Sequence, residues 1–224
     1  MVTESRFLSF HKLQLRAPQA VTLVKLMMAC NDLTFTNQAL DDWKNETRPE
    51  RKATQAAGCR YFICAQLSHL YEAIDVIQNI QDDPALFAFV GRCDHRTQEA
   101  FRKLQRYVKD GDQHSRFEAV IGRIRNNITF HYPERDKEIA KAIAKRAARS
   151  QVSSITRGST SHLWFFKVAD DVIDSIVVRD IWKVPDTTDL RSGADEIAVE
   201  VHQIQLLFLD FAGEFIWKYA GTLS

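Results

Sequence analysis

Apolar residues recur at threes and fours along most of the chain, the spacing that lays them on one face of an α-helix. In "QAVTLVKLMMACNDL" they make a wide apolar face, and Pro18 suits a first helical turn, which predicts a helix reaching about Trp43. "NETRPERK" breaks that pattern. From Ala53 to about Ile80, Phe62, Leu67, Leu70, Ile74 and Ile77 predict a second long helix. "QDDPALFAFVG" then places an Asp cap before a Pro, a start signal for a third. After the polar loop "KDGDQHS", a fourth helix begins near Gln113 or His114 and turns Phe117, Val120, Ile121 and Ile124 inward. Pro133 disfavours helical geometry at Tyr132 and predicts an end or a kink there. A short helix follows over roughly 134–150, then the polar linker "QVSSITRGSTSH", then helices from about Ser161 to Trp182 and from Ser192 to Tyr219. Within the first of these, "DSIVVRDIWKV" is ambiguous because its residues are β-branched. No repeat and no strand ladder stands out, so the prediction is an all-α helical bundle.

Composition agrees. Eight Gly and five Pro among 224 residues are few for the many turns of an all-β protein, and 45% hydrophobic residues suffice for a core. Cys30, Cys59, Cys64 and Cys93 include no C-x-x-C pair and read as reduced core thiols, so neither a disulfide frame nor a metal is expected. The opening "MVTESRFLSFHKLQ" has no uninterrupted apolar core, and Asp210 and Glu214 cut the apolar run "IQLLFLDFAGEFIW". The expectation is a soluble, cytoplasmic protein without a membrane span. The formal charge of +1 hides an asymmetry: the first 158 residues carry +7 and the rest −6. That split fits a polyanion site in the basic body or two halves that pack together.

One stretch breaks the packing logic. "RIRNNITFHYPE" brings Arg125, Asn126, Asn127, His131 and Tyr132 close together around Ile128 and Phe130. One account is structural, with a His and an Arg completing hydrogen bonds at a helix end. The other is chemical. A His titrates near neutral pH and can take a proton from a ribose 2′-hydroxyl or give one to a leaving 5′-oxygen. An Arg matches phosphate geometry and stabilises charge on a pentacoordinate phosphorus. On an ideal helix Arg125 and His131 point about 120° apart, so they converge through a bend, through the reach of the Arg, or across a symmetric dimer.

With that spacing, "R-N-N-I-T-F-H-Y" resembles the signature of the HEPN superfamily, an Arg followed by a polar residue and then, four to six positions on, a His. "RYFICAQLSHLYEAIDVI" is similar to the second helix of HEPN-like bundles, with Glu72 as the acidic residue that faces the pair. The resemblance covers about residues 20 to 150. It implies a HEPN-like bundle over 1–158; residues 159–224 fall outside it and are expected to form additional C-terminal helices, a helical pair packed on the bundle as one domain. It also implies a homodimer across the motif helices and a cofactor-free, metal-independent endoribonuclease that leaves 2′,3′-cyclic phosphate, in a toxin or phage-defence role. In that carry-over His131 is the general acid/base, Arg125 the phosphate and transition-state residue, and Asn126 orients them. Glu72 holds the Arg or the His, and Tyr132 contacts substrate. An antitoxin or other regulatory protein is the partner such a toxin implies.

Directly after the motif, Lys137, Lys141, Lys145 and Arg149 recur every four residues and make a basic stripe suited to an RNA backbone. Glu134, Asp136 and Glu138 dilute it, and a solvated face is the plainer account. His69 and Glu72 lack the second Glu-x-x-His segment of a di-iron bundle. Asp94, His95 and Glu99 read as solvated surface. The alternative of a different class is a non-catalytic helical dimer that binds a protein or a nucleotide or RNA ligand.

Overall fold

The computed structural model describes residues 4–16, 18–52, 54–122, 124, 136–157, 159, 165–185 and 190–223. The helices are α1 (Phe10–Gln14), α2 (Gln19–Lys44), α3 (Pro49–Lys52), α4 (Gln55–Asp82), α5 (Pro84–Val90), α6 (His95–Leu104), α7 (His114–Phe117), α8 (Asp136–Ala147), α9 (Lys167–Asp174) and α10 (Leu190–Gly221). Two π-helical segments join them, π1 (Glu118–Gly122) after α7 and π2 (Ser175–Ile181) after α9. A two-residue antiparallel ladder, β1 (Ile155–Thr156) with β2 (Phe165–Phe166), pairs Ile155 with Phe166 and Thr156 with Phe165. Among the described residues the chain is all-α apart from this ladder, and none of its helices is long and apolar enough to cross a membrane.

The long helices start and stop where local chemistry requires. Asn45 Nδ2 donates to the Asp41 carbonyl at the end of α2, and Gln55 Nε2 donates to the last carbonyls, Trp43 (3.0 Å) and Lys44 (2.8 Å). One side chain from the first turn of α4 thus satisfies two acceptors that a helix end leaves open. Gly58 lies in the first turns of α4 because the Trp43 indole packs onto its backbone; a Cβ there would run into the ring. Asp83 caps α5 by accepting from the Ala85 and Leu86 amides, with Pro84 behind it. Asp94 caps α6 through the Thr97 amide and hydroxyl. Each such cap contributes roughly 1 kcal/mol.

The chain forms two compact units that interleave in sequence. They do not divide near Ser159, where the charge asymmetry begins, since 118–200 belongs to one of them. The first comprises Met1–Phe35, His69–Phe117 and Val201–Ser224. Its core is aromatic: Phe208, Phe211 and Phe215 on α10 are fully buried, one turn apart or nearly so. Phe89 of α5 meets Phe215 and Tyr219 edge-on at centroid distances of 5.5 and 5.0 Å, and Phe101 of α6 lies 5.1 Å from Phe211. Leu23, Leu26 and Leu33 of α2 and Leu70, Ile77 and Ile80 of α4 complete this core.

The second unit comprises Thr36–Ser68 and Glu118–Glu200. Here α8 packs against α9 and π2, burying Ala142, Val172, Ile176, Val177 and Ile181. Its α9 carries three carboxylates, Asp170, Asp171 and Asp174, and all three are engaged. The Arg60 guanidinium of α4 takes Asp170 at 3.1 Å and Asp174 through two hydrogen bonds, while Lys167 Nζ and Ser153 Oγ take Asp171.

Candidate functional site

Arg125, Asn126, Asn127, His131 and Tyr132 lie outside the described residues. The approach to them is described. Phe117 and Ile121 are buried, and Ile124, the residue before Arg125, is completely so. Val120 is half-buried. The inward face expected of this segment is present, with a π turn over Glu118–Gly122 that apolar periodicity does not signal.

Glu72 is exposed on α4. It lines a groove of about 570 Å³ in the first unit with Lys25, Met28 and Asp32 of α2 and with His69 and Asp75 of its own helix. His69 Nδ1 sits 3.5 Å from Asp32 Oδ2, so the His69 that sequence pairs with Glu72 also faces a carboxylate from another helix. Five ionisable side chains thus converge on one concavity.

Of the basic stripe, Lys137, Lys141 and Lys145 lie on α8 and Arg149 lies just past its end. Lys137 and Arg149 are exposed. Lys141 and Lys145 each bring Nζ to 3.6 Å from the same oxygen, Asp180 Oδ1 on π2. Ala142 is the buried apolar position of the helix, whereas Ile143 is 51% exposed. Arg146, next to Lys145, reaches the junction of α9 and π2. Its Nε donates to Ser175 Oγ and its Nη1 to Gln151 Oε1, both at 3.1 Å, and its Nη2 to the Asp171 carbonyl. Those bonds fix the register of α8 against α9 and π2, and so place both lysines over Asp180.

Sequence reasoning did not find Asp180, Arg60 or Asp174. The i, i+4 spacing of Asp170 and Asp174 is visible along the chain, but their partner Arg60 is 114 positions from Asp174. Burial pushes the Asp174 carboxyl up, against the opposing pull of the Arg60 charge. Cys64, one turn on from Arg60, is buried, and desolvation lifts its thiol to about 11. Cys30 is lifted to about 11 for the same reason, so neither thiol is a ready nucleophile at neutral pH. All four cysteines are free.

Among the other sequence candidates, His95 is exposed in the first turn of α6. Asp94 is the α6 cap, and Glu99 pairs with Arg102 and, at 3.9 Å, with Lys103. His114 Nδ1 lies 3.1 Å from the Tyr107 carbonyl. Among the described residues no group of three His, Cys, Asp or Glu side chains is arranged to hold a metal ion. No protein-family model matches the chain, and neither a curated protein nor a solved structure is significantly similar to it.

Proposed function

We propose that the protein is a HEPN-type, metal-independent endoribonuclease that acts as a homodimer, in a toxin or defence role under the control of a partner protein. The observation that carries this reading is the spacing of Arg125, Asn126 and His131, reached from a helical segment anchored in the core by Phe117, Ile121 and Ile124. The all-α frame and the basic face of α8 beginning just after Pro133 support it.

In the proposed reaction the ribose 2′-oxygen attacks the adjacent phosphorus and the bond to the 5′-oxygen breaks. His131 takes the 2′-hydroxyl proton, and a proton returns to the departing 5′-oxygen. Arg125 offsets the charge that builds on the non-bridging oxygens, and Asn126 orients the pair. Tyr132 serves to contact the substrate. The test is incubation of a mixed RNA pool with wild type and His131→Ala in excess EDTA, followed by end analysis. Cyclic-phosphate ends from wild type alone are expected; equal cleavage by the variant overturns the reading.

A second reading, a non-catalytic helical module that binds a ligand, takes its support from the groove lined by Lys25, Asp32, His69, Glu72 and Asp75. The groove's volume, about 570 Å³, falls in the range of small-molecule sites, and several polar side chains converge on it. Under it, neither protein cleaves RNA, and Arg125→Ala and His131→Ala lose thermal stability instead.

A further inference from the structure

We propose that the Lys141–Lys145 face of α8 is a site for the phosphates of single-stranded RNA, and that Asp180 occupies it in the free protein as an internal substitute for one phosphate. RNA then enters by displacing a carboxylate. This rests on the RNA-handling part of the function proposed above and adds how the site is held closed.

The geometry points to substitution and not to a structural ion pair. Two ammonium groups share a single carboxylate oxygen at 3.6 Å each, beyond hydrogen-bonding range, so neither spends its donors on Asp180. One negative charge against two positive leaves the pair in surplus. A phosphodiester, with two non-bridging oxygens of its own, offers both lysines direct acceptors. The site is also open: the Lys141 side chain is 67% exposed, against 23% for Asp180. With Lys141 largely exposed and both Nζ beyond hydrogen-bonding distance, the ion pair is weak and its loss costs little. Neutralising successive phosphates, by contrast, releases counterions from the nucleic acid.

The placement is built in. Arg146 ties α8 to Ser175 Oγ and the Asp171 carbonyl, at the junction of α9 and π2. Asp180 lies within π2, a backbone geometry that is rare and recurs at functional sites. Lys137, one turn before Lys141, continues the same face, so a strand that displaced Asp180 would meet a further cation on that side. The charge asymmetry along the chain then has a local expression, with an acidic residue from beyond Ser159 seated on the basic helix.

The test measures binding of a labelled uridine oligonucleotide to the full chain, in a His131→Ala background with EDTA present. Asp180→Asn is expected to tighten binding about 2–5-fold at low salt, the range of one weak ion pair. Lys141→Gln with Lys145→Gln is expected to erase that gain and to lower the slope of log affinity against log salt by about 1.4. An Asp180→Asn protein that binds as the parent does overturns the proposal. Should that variant fail to fold, lysine acylation of wild type decides the question instead. The oligonucleotide must protect Lys141 and Lys145 more than Lys25 and Lys52, and equal protection overturns the proposal. Wild type that cleaves nothing while Asp180→Asn binds tighter removes the nuclease reading and leaves this one standing.

Discussion

Arg60 holds Asp174 by two parallel hydrogen bonds, Nε to Oδ1 and Nη2 to Oδ2, the second at 2.9 Å, across 114 positions of sequence. The guanidinium is 19% exposed and Asp174 31%, so water screens the pair only in part. Removing the cation leaves a half-buried carboxylate beside Asp170 with nothing to offset it. Arg60→Ala is therefore expected to cost about 2–3 kcal/mol in urea unfolding. Its pH dependence has a distinctive sign. Asp174 already titrates above its ordinary value through burial, and losing Arg60 raises it further. A carboxyl whose folded pKa exceeds its unfolded one binds its proton more tightly when folded. The variant should recover stability as pH falls from the folded pKa towards the unfolded value of about 3.9.

Glu46 is the opposite case. It is 8% exposed, and Arg48 binds both its oxygens while Arg51 stands 3.5 Å away. The hydrogen bonds from Arg48, with its charge, pull the carboxyl down to about 2. Its stabilising contribution is complete above the unfolded Glu value of about 4.3 and drains away as pH falls towards 2. Acid titration of stability in Glu46→Gln should be flatter than wild type over that window; an identical profile would mean the ion pair does not hold the turn.

Gln205 is 1% exposed on α10, and its Nε2 has no hydrogen-bond partner among the described residues. A buried donor left unpaired forfeits its hydration without return. Gln205→Met keeps the length and removes the donor, and a gain of about 1 kcal/mol is expected in thermal or denaturant melts.

For the proposed nuclease, His131→Ala and Arg125→Ala are each expected to slow RNA cleavage by about 10²–10⁴-fold. Their melting temperatures should stay at the wild-type value. Lost stability with no cleavage by wild type would favour the binding module.

Helices whose signal is local were legible. Asp83 and Pro84 announce α5, and the apolar spacing of α2 and α4 gave ends within a few residues of Lys44 and Asp82. The helix expected to Tyr219 runs to Gly221. What escaped depends on distant partners or on competing preferences. Asp94 is chemically a cap, but a polar surface run such as "DHRTQE" hides α6 until its buried Ala100 and Phe101 are seen. The β-branched run "SIVVRDI" became a π segment, a geometry that no residue type favours. Phe165 and Phe166 left the helix expected from about Ser161 because they pair with Ile155 and Thr156. The same limit applies to the site. The lysine spacing of α8 was plain, whereas the Asp180 that bridges Lys141 and Lys145 is fixed only by the packing of π2 on α8.

The aromatic core of the first unit also sets a timetable. Lys218 reaches back to the Arg92 carbonyl across 126 positions, and Phe215 and Tyr219 beside it close over Phe89. At ribosomal speeds that interval lasts roughly 6–25 s, far longer than any helix takes to form. Until it ends, the Phe89 and Phe101 faces that meet α10 lack that cover. A nascent chain is thus most open to clumping, and most in need of a chaperone's hold, just before its last helix emerges.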